Sequence, residues 1–185
     1  MTGKLLIAGV GNIFLGDDGF GVEVVSRLAA ENLPDWVRVA DYGIRGMHLA
    51  YDLAGGYDSA ILVDATARGG APGTIYLIEP DLASPPDAAV AEDAAAAAGA
   101  LFNAHGMQPD VVVGMLAMLG NGPRQLLVVG CEPASVDYGI GLSEPVAAAV
   151  DEAVRVVLDL VAGSADSADR QLVAKEWAHV PRNPR

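Results

Sequence analysis

The chain has 185 residues, a formal net charge of −13 at pH 7 and one cysteine. That length supports a single domain core without disulfides or structural metal; the charge opposes a phosphate backbone, so no nucleic-acid partner is expected; and Cys131 alone excludes an internal disulfide or a thiolate metal cluster within the chain. Hydrophobic residues reach 52%, yet the apolar runs are strand-length or broken by charge, far short of the roughly 20 residues of a spanning helix. Asn12, Asp17 and Asp18 arrive too early for a cleaved leader. The expectation is a cytoplasmic protein without membrane insertion.

Lys4 to Val10 reads as a buried strand ended by the turn Gly9-Val10-Gly11-Asn12. From Gly19 the spacing becomes helical, with Val22, Val25, Leu28 and Ala29 on one apolar face. Trp36 to Ala40 alternates as a second strand ending at Asp41, and Met47 to Leu53 predicts a short helix before Gly55-Gly56. Ser59 to Val63 is a third buried strand, closing on Asp64. Gly73 to Glu79 alternates like an edge strand, Pro80 to Pro86 breaks the pattern, and the alanine-rich stretch from Ala88 to Ala100 has helical composition. Gln108 to Leu119 predicts a helix with Val112, Met115, Leu116 and Leu119 on one face, and His105 lies just before it. Leu126 to Val129 is another apolar strand, and Glu144 to Val161 the last long helix. Strands apolar on both faces, alternating with helices, argue for an α/β fold with a mostly parallel sheet covered on both sides. Residues 1–163 form the single domain. From Ser164 the periodicity stops, and 164–185 reads as a flexible tail.

In an open parallel sheet, ligands gather outside the carboxyl ends of the strands. Asp18, Asp41, Asp64 and Glu132 all follow predicted strand ends, and His105 precedes a helix starting at the same edge. Several carboxylates cannot sit together ionised without a cation, because each raises the pKa of the next. Two carboxylates and an imidazole suit a borderline cation such as zinc or nickel better than calcium, and three protein ligands leave room for a substrate.

Each residue also has a purely structural reading. Asp17 or Asp18 before Gly19 can cap a helix, which is worth about 1 kcal/mol, although two adjacent acids exceed what one cap requires. Asp41 and Asp64 can each fix a turn, and Cys131 in an apolar strand reads as a core residue rather than a nucleophile. The Gly9-x-Gly11 turn suggests a dinucleotide fingerprint, but its third glycine is replaced by Phe14, and Asp17 and Asp18 stand where a pyrophosphate would rest. No Gly-x-Ser-x-Gly elbow occurs.

The residues carry a resemblance. Gly9-Val10-Gly11-Asn12 followed by Gly16-Asp17-Asp18-Gly19-Phe20-Gly21 resembles the N-terminal signature of the hydrogenase maturation endopeptidases, which process the large subunit of nickel-iron hydrogenases. Asp41-Tyr42-Gly43, Leu62-Val63-Asp64-Ala65, Ala104-His105-Gly106-Met107, Gly130-Cys131-Glu132-Pro133 and Gly139-Ile140-Gly141-Leu142-Ser143 resemble that family's later blocks in their order. The resemblance implies that Asp18, Asp64 and His105 contact metal and serve catalysis, with Asn12, Asp17, Asp41, Gly43 and Arg45 as substrate-contacting or supporting residues. It further implies a three-layer α/β sandwich with a twisted, mostly parallel central sheet and helices on both faces, nickel supplied by the precursor, with zinc or cadmium able to occupy the same site, and a nickel-iron hydrogenase large-subunit precursor as the partner. The turn Gly43-Ile44-Arg45-Gly46 departs from the family, where a threonine commonly follows the glycine.

The implied reaction is removal of the precursor's C-terminal peptide once nickel is in place. Two alternatives remain at this level. A non-catalytic nickel or hydrogenase-subunit binding module would keep the ligands without cutting. A peptidyl-tRNA hydrolase shares the Gly-x-Gly-Asn opening but needs a basic face, which this charge denies.

Overall fold

The computed structural model describes residues 3–82 and 109–165. Its framework is a five-stranded sheet: β1 (Leu5–Val10), β2 (Val37–Gly43), β3 (Ser59–Ala65), β4 (Ile75–Ile78) and β5 (Gln125–Cys131). The order across the sheet is β2-β1-β3-β5-β4. The first four of these neighbours run parallel, and β4 alone is antiparallel, pairing Ile75 with Cys131 and Ile78 with Val128 at the edge. All six residues of β1 are buried, as are the first six of β3. This explains their unbroken apolar sequences: a strand covered on both faces has no position for a solvated side chain.

Four helices supply the cover: α1 (Phe20–Leu28), α2 (Gly46–Gly56), α3 (Pro109–Leu119) and α4 (Glu144–Ala165). Leu5, Ile7, Ile61, Val63, Leu127 and Val129 pack with Phe20, Val24, Val150 and Val157, so α1 and α4 cover one face. The alternate residues Leu6, Ala8, Leu62, Leu126 and Val128 pack with Leu49, Leu53, Val112 and Leu116, so α2 and α3 cover the other. The expected three-layer α/β architecture is the one observed. No helix among the described residues is long and apolar enough to cross a membrane.

Several local expectations are corrected. The buried face of α1 is Phe20, Gly21, Val24, Val25 and Leu28; Val22 is half-buried and Ala29 exposed. In α3, Leu119 is exposed and Val111 takes a buried place. Asp41 and Asp64 do not follow their strands but lie within the last turns of pairing in β2 and β3. The last helix runs to Ala165, past its expected end at Val161. The alanine-rich stretch, His105 and the tail beyond Ala165 lie outside the described residues.

Candidate active site at the carboxyl edge of β1 and β3

The chain leaves β1 for β2 on one side and later returns past β1 to β3 on the other. The ends of β1 and β3 are therefore the point where the winding reverses, the place where an open α/β sheet leaves a crevice. Asp18 follows β1 in a short 3-10 turn, Gly16–Gly19, and Asp64 is the penultimate residue of β3. Two glycines let these segments approach. Gly11 has φ +123°, and a Cβ there would lie 1.8 Å from the Asp18 carbonyl oxygen; a Cβ on Gly21 would lie 2.1 Å from the Val63 carbonyl oxygen. The start of α1 thus rests directly on the two strand ends.

Asp64 is 4% exposed. Burial pushes its carboxyl well above the ordinary aspartate value, the negative charge of Asp18 pushes it further, and the amide of Ala65 opposes both only in part. Asp18 itself is half-buried, and its Oδ2 accepts the amide of Asn12 at 2.6 Å. The pair is therefore one carboxylate oriented by the β1 turn beside a second that resists ionisation. A cation between them would remove that resistance.

Asp17, one residue away, has a different fate. It is buried, and it accepts hydrogen bonds from the amides of Ala134 (2.8 Å), Ser135 (3.1 Å) and Ser143 (2.6 Å) and from the Ser143 hydroxyl (2.9 Å). Burial would raise its carboxyl, but these donors together hold it below the ordinary value. No side chain caps α1; both aspartates are used elsewhere. Asp17 acts on the site only through the 134–143 loop that it ties down, and its engaged lone pairs make it a poor proton acceptor.

Glu132 also leaves the expected acidic cluster. Its carboxylate accepts the amides of Arg68 (2.8 Å) and Gly69 (3.1 Å) and the Tyr76 hydroxyl (2.8 Å), closing the 66–70 turn onto β4 and β5. Asp41 is exposed at the end of β2. Gly43, with φ +51°, turns the chain, and its carbonyl accepts the Gly11 amide at 3.0 Å, joining this turn to the end of β1. Arg45 folds back: Nε donates to the Tyr42 carbonyl at 3.0 Å and Nη2 to the Asp41 carbonyl. Its guanidinium braces the β2–α2 turn.

Thr66 was not singled out by the sequence. Its Oγ1 is buried and has no hydrogen-bond partner among the described residues. A Cβ on Gly130 would lie 2.7 Å from that oxygen, and Gly130 is the register partner of Asp64. By strand alternation Asp64, Thr66 and Gly130 address the same face as Leu62 and Val128, the face covered by α2 and α3. Asn121, just after α3, donates to the Ala54 carbonyl near the end of α2 at 2.8 Å. Since α2 ends where the strands begin, α3 starts toward the opposite rim, the carboxyl edge of the sheet. His105 precedes that start by four residues of chain. Among the described residues no group of three or more His, Cys, Asp or Glu is assembled to hold a metal; Asp18 and Asp64 contribute two carboxylates.

A family model described as hydrogenase maturation protease matches residues 22–160. The chain is 33% identical over 161 residues to a hydrogenase expression/formation protein of Azotobacter vinelandii, spanning 86% of this chain and 72% of that one. It is 32% identical over 157 residues to the hydrogenase 2 maturation protease of Escherichia coli, spanning 84% and 88%. Among solved structures, the hydrogenase maturating endopeptidase HybD of Escherichia coli superposes with a TM-score of 0.65 at 31% identity, covering 87% of this chain and 93% of that one.

Proposed function

The chain belongs to the hydrogenase maturation protease family, and from that premise we propose that it removes the C-terminal peptide of a nickel-iron hydrogenase large-subunit precursor after nickel insertion, reading the bound nickel through Asp18, Asp64 and His105. Family membership makes it a peptidase and sets aside the binding-module and peptidyl-tRNA hydrolase alternatives. The cytoplasm, where a precursor is assembled, is its place of action in this reading.

The observation that carries the proposal is the Asp18–Asp64 relationship. A buried carboxyl beside a second acid is costly to ionise in isolation, and a divalent metal brought in by the substrate supplies the missing charge. The pair favours neither an anion nor an empty state. A nickel-free precursor then brings nothing to offset the pair, so discrimination between loaded and empty precursor follows from electrostatics. Another divalent ion of similar preference, zinc or cadmium, can take the same ligands.

The chain's own residues do the remaining work. Asn12 orients Asp18 through its amide; Arg45 and Gly43 hold the β2 turn, with Asp41 at its rim; and the unpartnered Thr66 hydroxyl is available to a peptide group of the substrate. Asp18, Asp64 and His105 would hold the precursor's metal so that the scissile bond is fixed beside them, where the metal would supply Lewis acidity to a carbonyl or a water.

The test is processing of nickel-loaded precursor by Asp18→Asn, Asp64→Asn and His105→Ala, each followed by the mass of the large subunit. All three variants are expected to leave the precursor uncut while remaining folded. Full cleavage by any one of them removes that residue from the site.

A further inference from the structure

Among the described residues nine large hydrophobic side chains are exposed, and five of them, Ile13, Phe14, Val136, Tyr138 and Ile140, lie on two loops, 12–16 and 135–141. Scattered exposed apolar residues are ordinary, but a contiguous set on a fixed surface marks an interaction site. Here the surface is fixed. The Gly16 amide donates to the Gly139 carbonyl at 2.9 Å and the Gly139 amide to the Phe14 carbonyl at 3.0 Å, so the loops pair along Leu15 and Gly139. Asp17 donates its amide to the Ser135 carbonyl at 3.1 Å and anchors the far loop through its carboxylate. Tyr138 is nonetheless 94% exposed and Ile140 82%. Beside these loops a groove of about 350 Å³ opens between α1 and the first turns of α4, walled by Ile13, Val22, Ile140, Leu142 and Val150 together with the charged Glu23 and Arg27.

We propose that this paired-loop surface is the dock of the folded precursor, receiving apolar side chains of the protein that carries the metal. The inference rests on the functional reading above, because it places the same substrate on a second surface of the enzyme. Its ground is continuity. The amide of Asn12, which opens the first loop, is hydrogen-bonded to Asp18, and Ile13 and Phe14 follow at once. A stable protein interface buries about 800 Å² on each partner, far more than two carboxylates and a turn provide. A protein that brings a peptide bond to Asp18 must therefore spread over its surroundings, and among the described residues these loops carry five of the nine exposed large hydrophobic side chains. The tandem of acids then has a division of labour: Asp17 fixes the docking loops, and Asp18 faces the site.

Energy in such interfaces concentrates in a few apolar and aromatic anchors. The test is the full-length variant Phe14→Ser/Tyr138→Ser/Ile140→Ser, whose substituted side chains are exposed and whose melting temperature is checked against the parent. The precursor concentration giving half-maximal cleavage is expected to rise ~tenfold or more, while the rate at saturating precursor stays within about twofold of the parent. Binding of nickel-free precursor, measured by calorimetry, is expected to weaken by a similar factor, since the dock does not read the metal. Asp18→Asn run in parallel separates the two claims. If the triple variant cleaves and binds like the parent while Asp18→Asn is inactive, the dock is wrong and the metal reading stands. If Asp18→Asn cleaves normally while the triple variant binds weakly, the metal reading is wrong and the dock stands. A parent that light scattering shows to be a dimer, and a triple variant that is monomeric with unchanged cleavage, would assign the surface to self-association and overturn the proposal.

Discussion

Asp18, in the 3-10 turn that follows β1, lies close enough to Asp64, near the end of the adjacent parallel strand β3, for its negative charge to raise the Asp64 pKa. Asp64 is buried and Asp18 half-buried, so the pair is asymmetric: one acid is reachable and oriented, the other is withheld from water. Asp64→Asn removes the withheld charge and keeps the side chain's shape. Its stability in the absence of precursor is expected to stay within about 1 kcal/mol of the parent, by urea unfolding, while processing is lost. A large loss of stability would mean that Asp64 is a structural anion.

Asp17 behaves oppositely. Its carboxylate satisfies three amides and a hydroxyl in a buried setting, and hydrogen bonds to a charged group contribute more than neutral ones. Asp17→Ala leaves those donors unmet and is expected to lower stability by about 3 kcal/mol, against less than about 1 kcal/mol for Asp18→Ala. Comparable losses for the two variants would contradict the division between a loop anchor and a site residue.

Glu132 predicts a pH dependence. Burial would raise its carboxyl, but the Arg68 amide, the Tyr76 hydroxyl and the amides of Gly70 and Gly69 hold it below the ordinary glutamate value. A carboxyl depressed in the folded state contributes stability that is fully present above the unfolded value, about 4.3, and is lost as pH falls through the folded one. Glu132→Gln is therefore expected to be less stable than the parent at pH 7, with the gap narrowing below about pH 4. A gap that stays constant down to pH 3 would show that the carboxylate charge contributes nothing.

Thr66 carries a buried hydroxyl with no partner among the described residues, and such a group costs about 1–3 kcal/mol. Thr66→Val is expected to raise stability by about 1 kcal/mol and to slow processing about tenfold, with Thr66→Ser restoring the rate. Unchanged processing in Thr66→Val would exclude the hydroxyl from substrate contact.

Much of the framework is legible in sequence because β1, β3 and β5 are buried on both faces, so each is written as an apolar run. The phase of α1 was not: Phe20, Val22, Val24, Val25 and Leu28 fit more than one helical face, and only packing against β1 and β3 selects Phe20 and Val24 over Val22. That Asp18 and Asp64 come close together was legible from their places after β1 and at the end of β3. Glu132 looked alike at that level, because its partners Arg68, Gly69 and Tyr76 come from a turn and an edge strand more than fifty residues away in the chain. The Asp17 anchor was hidden for the same reason. An unmet hydroxyl such as that of Thr66 has no sequence signature, since only the surrounding atoms decide whether it finds a partner.

The central claim is that the substrate's metal completes the Asp18–Asp64 pair. Its most direct test is to mix the purified chain with nickel-loaded and nickel-free forms of the same large-subunit precursor and follow the subunit's mass with time. Loss of the C-terminal peptide from the loaded form alone is the predicted result. Equal cleavage of both forms, at equal precursor folding, would contradict the account.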